Sequence, residues 1–549
     1  MPLQKNQVLT LQVERLSSDG SGVAHSPEGE TVFIPGAAPG DEARVRIVKD
    51  CKRYAFGILD EVLKPSPDRI PVDCAVAGPC GGCSLRHLDY AAELRAKQEN
   101  VADAFARIGG LDVPVLPIVG SPEIDRYRNK VQFPVGTDKA GRPCIGFYAG
   151  RTHRIVPCPD CRLQPGVLNE IGNTLCAFFA EKGIHPYNEE TGKGLVRHIF
   201  LRRGAHSGQI MVCLVSTRAK LPSAEELCTR LKEAFPDIVT ILLNVNAKNT
   251  NVILGSETHT LYGQGYIEDT LCGVPVQLGP LSFYQVNTLA AEQLYGIAAE
   301  YAQLTPDDLL LDLYCGMGTI GLSMADHCRE LVGVEIVPEA IESAKANAAR
   351  MGAAVFAKSR FFCADAGQAA AQLAAEGLHP DVVMLDPPRK GCDGATLSAV
   401  VRMAPRRVVY VSCNPATAAR DAAWLEQNGY HAEKVQPVDL FPRTKHVETV
   451  CLLSKLNVKH HIEVEITMDE LDLTAAESKA TYDEIKAYVL EKFGFKVSQL
   501  YIAQIKRKCG IIERKNYNQS KKEDAKVPKC PPEKEAAIMD ALKHFQMIP

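Results

Sequence analysis

The 549-residue sequence predicts an α/β chain. A doubly wound parallel sheet is expected over residues 281–455, with a small β-barrel and an α+β region before it and an α-rich appendage after it. Three observations carry this reading. Strand-like and helix-like segments alternate through 281–455, as parallel strands with helical crossovers require. Within that stretch the apolar run Leu309-Leu310-Leu311-Asp312-Leu313 enters a turn holding Gly316, Gly318 and Gly321 and then a helical segment. At the N-terminus, five short alternating runs separated by Gly, Pro and Asp turns suggest a closed barrel of OB type.

The barrel strands are expected at 7–16, 22–24, 31–34, 43–50 and 54–63, so that 1–63 forms one module. Lys64-Pro65-Ser66-Pro67-Asp68 reads as a linker. A cysteine-bearing segment with a helix at 90–108 fills 64–111. Residues 112–280 look α+β, with strands at 130–135, 195–201, 209–215 and 239–245. Between Arg126 and Arg203 there are 13 Lys and Arg against 6 Asp and Glu, interleaved with Tyr127, Phe133, Phe147, Tyr148 and Phe200. Cations beside stackable rings suit unpaired RNA, although a solvated β surface has the same composition. The appendage, 458–549, is expected to hold a strand at 462–466, a helix capped by Thr474 and Glu477 and running to about Phe493, and a last helix at 533–545. Its stretch 506–529 carries 9 Lys and Arg against 3 Asp and Glu.

Composition bounds the class of protein. Hydrophobic residues make up 46% and charged residues 23%, which is ordinary globular usage. No run approaches the ~18 apolar residues of a membrane span, and Met1-Pro2-Leu3-Gln4-Lys5 lacks a signal-peptide core. A cytoplasmic protein without membrane attachment is expected. Nineteen cysteines then argue for metal binding or catalysis rather than disulfides. The formal net charge of −4 gives no global attraction to nucleic acid, so any such binding must rest on local patches.

The chemistry is concentrated at two strand ends. Arg407–Val411 reads as a strand, and Ser412-Cys413-Asn414-Pro415 follows it, which puts a thiol at the carboxyl edge of the sheet. Lys445-His446-Val447-Glu448-Thr449 places an acid beside a second apolar run. A thiolate nucleophile with a carboxylate base is what methylation at C5 of a pyrimidine requires. Cys413 alone is more simply read as a small buried hydrophobe. The glycines at 316, 318 and 321 let backbone approach a ligand closely, and Glu335, after the next strand, is placed for ribose hydroxyls. That pattern does not separate NAD from S-adenosylmethionine. Asp386-Pro387-Pro388-Arg389 does, because a rigid acid-Pro-Pro turn fits a methyltransferase site and has no use in a dehydrogenase. Gln285 could fold over the cofactor or cap a helix. Asp365 is either an adenine-side contact or a solvated turn acid. Cys74, Cys80 and Cys83, with Cys158 or Cys161, suit zinc or an iron–sulfur cluster, and spacing does not decide between them.

Together these residues closely resemble the RNA uridine-5-methyltransferases, specifically the ribosomal RNA enzymes with a TRAM barrel and a [4Fe-4S] cluster and their transfer-RNA relatives. The resemblance covers about residues 1–455 and rests on the barrel, the cysteines, Phe283-Tyr284-Gln285-Val286-Asn287, Asp312-Leu313-Tyr314-Cys315-Gly316, Leu385-Asp386-Pro387-Pro388-Arg389, Ser412-Cys413-Asn414-Pro415 and His446-Val447-Glu448. It implies a class I S-adenosyl-L-methionine-dependent methyltransferase, with a Rossmann-like doubly wound sheet and an OB-like TRAM barrel. It implies cofactor contacts at Gln285, Tyr314, Glu335 and Asp386, beside the glycines 316 and 318 and Asp365. It also implies cluster ligands at Cys74, Cys80, Cys83 and Cys161, the last preferred because Asp160-Cys161-Arg162-Leu163-Gln164 matches the family pattern. Cys158 departs from that pattern.

The expected reaction is methylation of a uridine in RNA, with 23S ribosomal RNA first and transfer RNA as the alternative, by a monomer. Cys413 would add to C6, C5 would take the methyl group, and Glu448 would remove the C5 proton. The target uridine would be flipped or already unpaired. Arg389 and Lys390 are candidates for a phosphate or for the enolate. Two rivals of other classes are a non-catalytic RNA-binding ribosome-assembly protein and a DNA cytosine-5-methyltransferase. The intact Cys413, Glu448 and glycine turn speak against the first, and the barrel and cysteines against the second.

Overall fold

The computed structural model describes residues 3–150, 152–248, 250–456, 482–495, 497–509 and 530–545. Two compact units divide the chain, Met1–Asn457 and Val458–Pro549.

The first unit begins with a closed five-stranded barrel, formed by β1 (Val8–Leu16), β2 (Ser21–His25), β3 (Thr31–Pro35), β4 (Glu42–Asp50) and β5 (Tyr54–Lys64) in the order β1-β2-β3-β5-β4. Strand alternation drives it: Leu11, Val13, Val32, Ile34, Val45 and Ile47 point inward and are buried. At Gly57 the walls come so close that a Cβ would lie 2.3 Å from Val45 Cγ1. The predicted helix at 90–108 is α-helical over Tyr90–Ala104 and then widens into a π turn over Phe105–Gly109. Gly110, at φ 64°, ends it.

The middle region is a seven-stranded sheet of β6 (Lys130–Thr137), β7 (Pro143–Tyr148), β8 (Ile155–Pro157), β9 (Val196–Arg203), β10 (Ile210–Ser216), β11 (Ile238–Val245) and β12 (Glu257–Tyr262), in the order β12-β11-β10-β9-β6-β7-β8. β10 and β11 pair in parallel across the helix Ala224–Ala234. A hairpin, β13 (Ile267–Leu271) and β14 (Val274–Leu278), leads onward.

The sheet that carries the site comprises β15 (Leu309–Leu313), β16 (Glu330–Glu335), β17 (Ser359–Cys363), β18 (Val382–Leu385), β19 (Arg407–Ser412), β20 (Tyr430–Val438) and β21 (Glu448–Lys455). Their order is β17-β16-β15-β18-β19-β21-β20, parallel except that β21 runs against β19 and β20. The connection reverses direction between β15 and β18, and open α/β sheets bind ligands outside the carboxyl ends of strands at such a point. β18 is buried along its whole length and reads as an unbroken apolar run, as a strand covered on both faces should.

The second unit packs three helices, Tyr482–Phe493, Gln499–Lys508 and Pro532–His544, around Ile485, Val489, Ile502, Ile538 and Leu542. The expected strand at 462–466, the Thr474–Glu477 cap and most of the 506–529 basic stretch lie outside the described residues. Among the described residues, no helix is long and apolar enough to cross a membrane.

Candidate active site

The glycine turn is shaped by the strand below it. After β15, Tyr314, Gly316 and Gly318 all have positive φ, at 65°, 55° and 78°. Tyr314 is strained there, since its Cβ opposes that conformation. The amide of Gly316 donates to Glu335 Oε2 at 3.2 Å, and Glu335 Oε1 accepts from the amides of Ile336 and Val337 at 2.9 and 3.0 Å. The acid at the end of β16 is thus fixed beside the turn. A Cβ on Gly316 would meet nothing within 4 Å, so the space above the turn is open to a ligand.

Gly321 faces the other way: its Cβ would lie 2.8 Å from Asp312 Oδ2 and from Leu331 Cδ1. Gly321→Ala is therefore expected to destabilise the fold by about 1–3 kcal/mol. Chemical denaturation would measure it, and an unchanged midpoint would contradict this packing.

Asp312 was quoted in the motif without a role. It is 1% exposed, and Oδ2 accepts the Gly321 amide at 3.0 Å while Oδ1 has no partner among the described residues. Burial pushes its carboxyl up to about 8. The sequence signal was an acid interrupting an apolar strand.

β19 and β21 bring the proposed thiol and acid together. Ser412 is in register with Thr449 in this antiparallel pair, and Thr449 Oγ1 donates to the Ser412 carbonyl at 3.2 Å. Cys413 and Glu448 are the next residues beyond that last pair, and the Glu448 charge acts on the Cys413 thiol. Glu448 is 5% exposed, and burial first, then Asp386, raises its carboxyl well above the usual range. Asp386, at the end of β18, is pushed up to about 7 by burial. The Cys413 thiol is also raised, by burial first and then by Glu448, while Arg389 opposes both.

Asn414 ties the two turns together. Its Nδ2 donates to the Arg389 carbonyl at 3.0 Å, and its Oδ1 accepts the Ala416 amide at 3.2 Å. Pro415 opens the helix Pro415–Glu426, where its missing N–H costs nothing. The sequence showed only the turn, not this clamp, because Asn414 and Arg389 meet only in the fold.

Gln285 is not the helix cap. Asn287 caps Thr288–Ala302 by accepting the Ala290 amide at 3.3 Å. The Gln285 carbonyl accepts from Asn129 Nδ2 at 2.8 Å, and its side-chain amide makes no hydrogen bond among the described residues. The Tyr314 hydroxyl is 3.3 Å from Thr396 Oγ1. Asp365 is committed as a cap of the helix Ala366–Ala375, with Oδ1 accepting the amides of Gly367 and Gln368 at 3.1 and 3.2 Å.

Cys74, Cys80, Cys83, Cys158 and Cys161 line one cavity of about 250 Å³ together with Arg86, Arg128 and Lys130. The cations are crowded: burial, Arg202 and Arg128 bring the Lys130 ammonium down to about 8, and the buried Arg128 Nε has no partner. A hydrogen bond from the Cys158 thiol is the largest cause of a Cys161 value of about 7. Among the described residues, no three His, Cys, Asp or Glu side chains are arranged to hold a single metal ion. The expected ligand set is spread around a cavity rather than gathered on a point.

Part of the 126–203 patch is interior, while Lys139, Arg142, Arg154 and Lys193 are exposed. Tyr127, Phe133 and Phe200 are core residues. Arg202 and Arg197 are buried and donate to backbone carbonyls, Arg202 to Gly279 and Ser282, and Arg197 to Asn246 and Lys248. Arg126 and Arg142 pair with Asp160 and Asp138. Charge counting could not see that Arg197 and Arg202 lie on β9, a strand buried on both faces.

The sheet order, with β21 antiparallel between β19 and β20, the open glycine turn and the Asp386-Pro387-Pro388 turn together fit an S-adenosylmethionine-dependent methyltransferase. Comparison with known proteins is more specific. Residues 207–456 match the family model for tRNA (uracil-5-)-methyltransferase, and residues 2–59 match that for the TRAM domain. An uncharacterised RNA methyltransferase of Halalkalibacterium halodurans is 43% identical over 457 residues, 83% of this chain and 99% of the relative. One from Oceanobacillus iheyensis is 42% identical over 455 residues, 82% of this chain and 98% of the relative. The crystal structure of the Pyrococcus abyssi tRNA (uracil-54, C5)-methyltransferase with S-adenosyl-L-homocysteine superposes with a TM-score of 0.65 at 27% identity, over 81% of this chain and all of that one. The chain belongs to the RNA (uracil-5-)-methyltransferase family.

Proposed function

We propose that this enzyme methylates C5 of one uridine in 23S ribosomal RNA through a covalent adduct on Cys413. The observation that supports the mechanism is the β19–β21 register, whose last pair, Ser412 with Thr449, is followed by Cys413 on one strand and preceded by Glu448 on the other. In this reading Cys413 Sγ bonds to C6 of the uracil, and the ring electrons move to C5 and O4. When bound, S-adenosylmethionine supplies a methyl group on a sulfonium, which the nucleophilic C5 takes. Glu448 then accepts the C5 proton, the C5–C6 double bond re-forms, and the Sγ–C6 bond breaks to return the thiolate. Asp386 lines the cofactor side and hydrogen-bonds the uracil edge. Arg389 lowers the thiol pKa and faces the enolate.

The charge balance supports this assignment. Burial pushes the carboxyls of Asp312, Asp386 and Glu448 all upward. A cationic ligand entering there would favour their ionised forms and leave Glu448 ready as a base. Gln285, Tyr314, Glu335 and the turn at Gly316 and Gly318 would hold that ligand, with Asp365 toward its adenine end.

Cys74, Cys80, Cys83 and Cys161 are proposed to hold a [4Fe-4S] cluster. Four thiolates bound to such a cluster make an anionic group, and the crowded Arg86, Arg128 and Lys130 match it. Cys83→Ala is expected to abolish the brown iron–sulfur absorption of anaerobically purified protein. Full retention of that absorption would remove Cys83 from the ligand set.

Transfer RNA is the second reading, favoured by the substrate of the Pyrococcus abyssi relative. 5-Fluorouridine-substituted 23S rRNA, 16S rRNA and tRNA separate the two. Fluorine at C5 cannot leave as a proton, so the true substrate should stay bound to the protein on a denaturing gel. A complex with tRNA alone would overturn the ribosomal assignment, and no complex with any RNA would overturn the adduct.

A further inference from the structure

Lys97, on the helix Tyr90–Ala104, is 1% exposed and lies between Glu93 and Asp439, each 0% exposed. Its ammonium donates to Glu93 Oε1 and to Asp439 Oδ1 at 2.7 Å each, and to the Phe441 carbonyl at 3.1 Å. Burying three charges is costly, and apolar replacements of such groups are often neutral or stabilising. Filling the core therefore does not account for the triad.

What the triad touches does account for it. Asp439 Oδ1 also accepts the Phe441 amide at 3.0 Å, and its Oδ2 accepts the Tyr90 hydroxyl at 3.0 Å. Glu93 Oε1 also accepts the Arg443 amide at 2.8 Å. Arg443 has φ 68°, a conformation that opposes its Cβ and persists only when its surroundings impose it. Its carbonyl accepts the amides of Ser84 and Leu85 at 3.0 and 3.1 Å, and its guanidinium donates to the Leu88 carbonyl at 3.0 Å. The Tyr127 hydroxyl holds the Pro442 carbonyl at 3.0 Å. The segment immediately ahead of Glu448 is thus gripped, residue by residue, from the helix and from the turn that follows Cys83.

We propose that Glu93, Lys97, Asp439 and Arg443 are positioning residues that set where the Glu448 carboxylate stands over C5 of the target base. They act on removal of the C5 proton and not on addition of the thiol. Cys413 lies past the end of β19 in a turn held by the Asn414 bond to the Arg389 carbonyl, and among the described residues Glu93, Lys97, Asp439 and Arg443 make no hydrogen bond to that turn. The inference rests on the reading of Glu448 as the base. In the step concerned, the C5–H electron pair re-forms the C5–C6 double bond, the proton passes to Glu448, and the Sγ–C6 pair returns to Cys413.

The test uses the full chain with Lys97→Met, which keeps length and removes the ammonium, and Tyr90→Phe, which removes one hydroxyl. Glu448→Gln is the reference. Complex formation with 5-fluorouridine-substituted RNA reads addition, and a gel-stable complex with ordinary RNA reads slow proton removal. Lys97→Met is expected to form the fluorinated complex within about twofold of the wild-type rate, yet to release methylated ordinary RNA about tenfold more slowly, with the complex accumulating. Tyr90→Phe should move the same way by less, and it carries the test if Lys97→Met folds poorly.

Loss of addition and release in equal proportion in both variants would mean a merely structural network and overturn the proposal. Wild-type release in both, while Glu448→Gln accumulates complex, would overturn it as well. Failure of Glu448→Gln itself to accumulate complex would instead sink the base assignment, and the positioning role with it.

Discussion

Cys413→Ala is expected to lower methyl transfer at least about a thousandfold and to abolish the gel-stable complex with 5-fluorouridine-substituted RNA. Uracil C5 is a poor nucleophile until C6 has been attacked, so no other group in the site substitutes for the thiol. Stability should change by less than about 1 kcal/mol, because a half-buried thiol is exchanged for a methyl in a turn held by Ser412 and Asn414. S-adenosylmethionine affinity should be unchanged or slightly higher, since the alanine removes a partly buried polar group and leaves the glycine turn intact. The measurement is a methyl-incorporation assay beside a binding titration. Residual turnover within tenfold of wild type would end the covalent reading, whatever the gel shows.

How much of this was legible depends on where each signal lives. The barrel was read almost to the residue, because β1, β3 and β4 alternate and most of the turns carry Gly, Pro or Asp: 31–34 became Thr31–Pro35 and 43–50 became Glu42–Asp50. The parallel sheet was legible for a different reason. β15 and β18 are buried on both faces, so their apolar runs stand out.

The middle region was read less well. Its strands at 130, 196, 210 and 238 were seen, whereas β7, β8 and β12 to β14 were not. β12 is largely exposed, and β8 has three residues, which leaves no periodicity to detect. In the candidate site, single residues were visible from motifs, but their partners were not. Nothing local says that Asn414 reaches Arg389, that Asp312 braces Gly321, or that Lys97 meets Asp439 across 342 residues. The basic patch was legible only in part for the same reason: composition reports charge, and only the fold reports that Arg197 and Arg202 are interior.

Glu448→Gln is expected to leave the first half of the reaction and remove the second. The amide keeps the shape of the acid and cannot accept the C5 proton, so the methylated adduct should accumulate on ordinary RNA while turnover falls about a hundredfold or more. The pH dependence follows from burial. Folding raises this carboxyl well above its ordinary value, so the folded protein holds the proton where the unfolded chain has lost it. Stability from this group is complete below the usual carboxylate range and is lost as pH rises through the raised value.

The glutamine does not titrate, so the variant should gain in melting temperature relative to wild type as pH rises above the usual carboxylate range. S-adenosylmethionine, being cationic, favours the ionised acid. Its affinity for wild type should therefore rise with pH, and rise less steeply in Glu448→Gln. The slope should not vanish, because burial also pushes the Asp386 and Asp312 carboxyls up, to about 7 and about 8. Equal pH slopes for both proteins would place Glu448 in contact with water rather than in the buried cluster, and its part in the reaction would have to be reassigned.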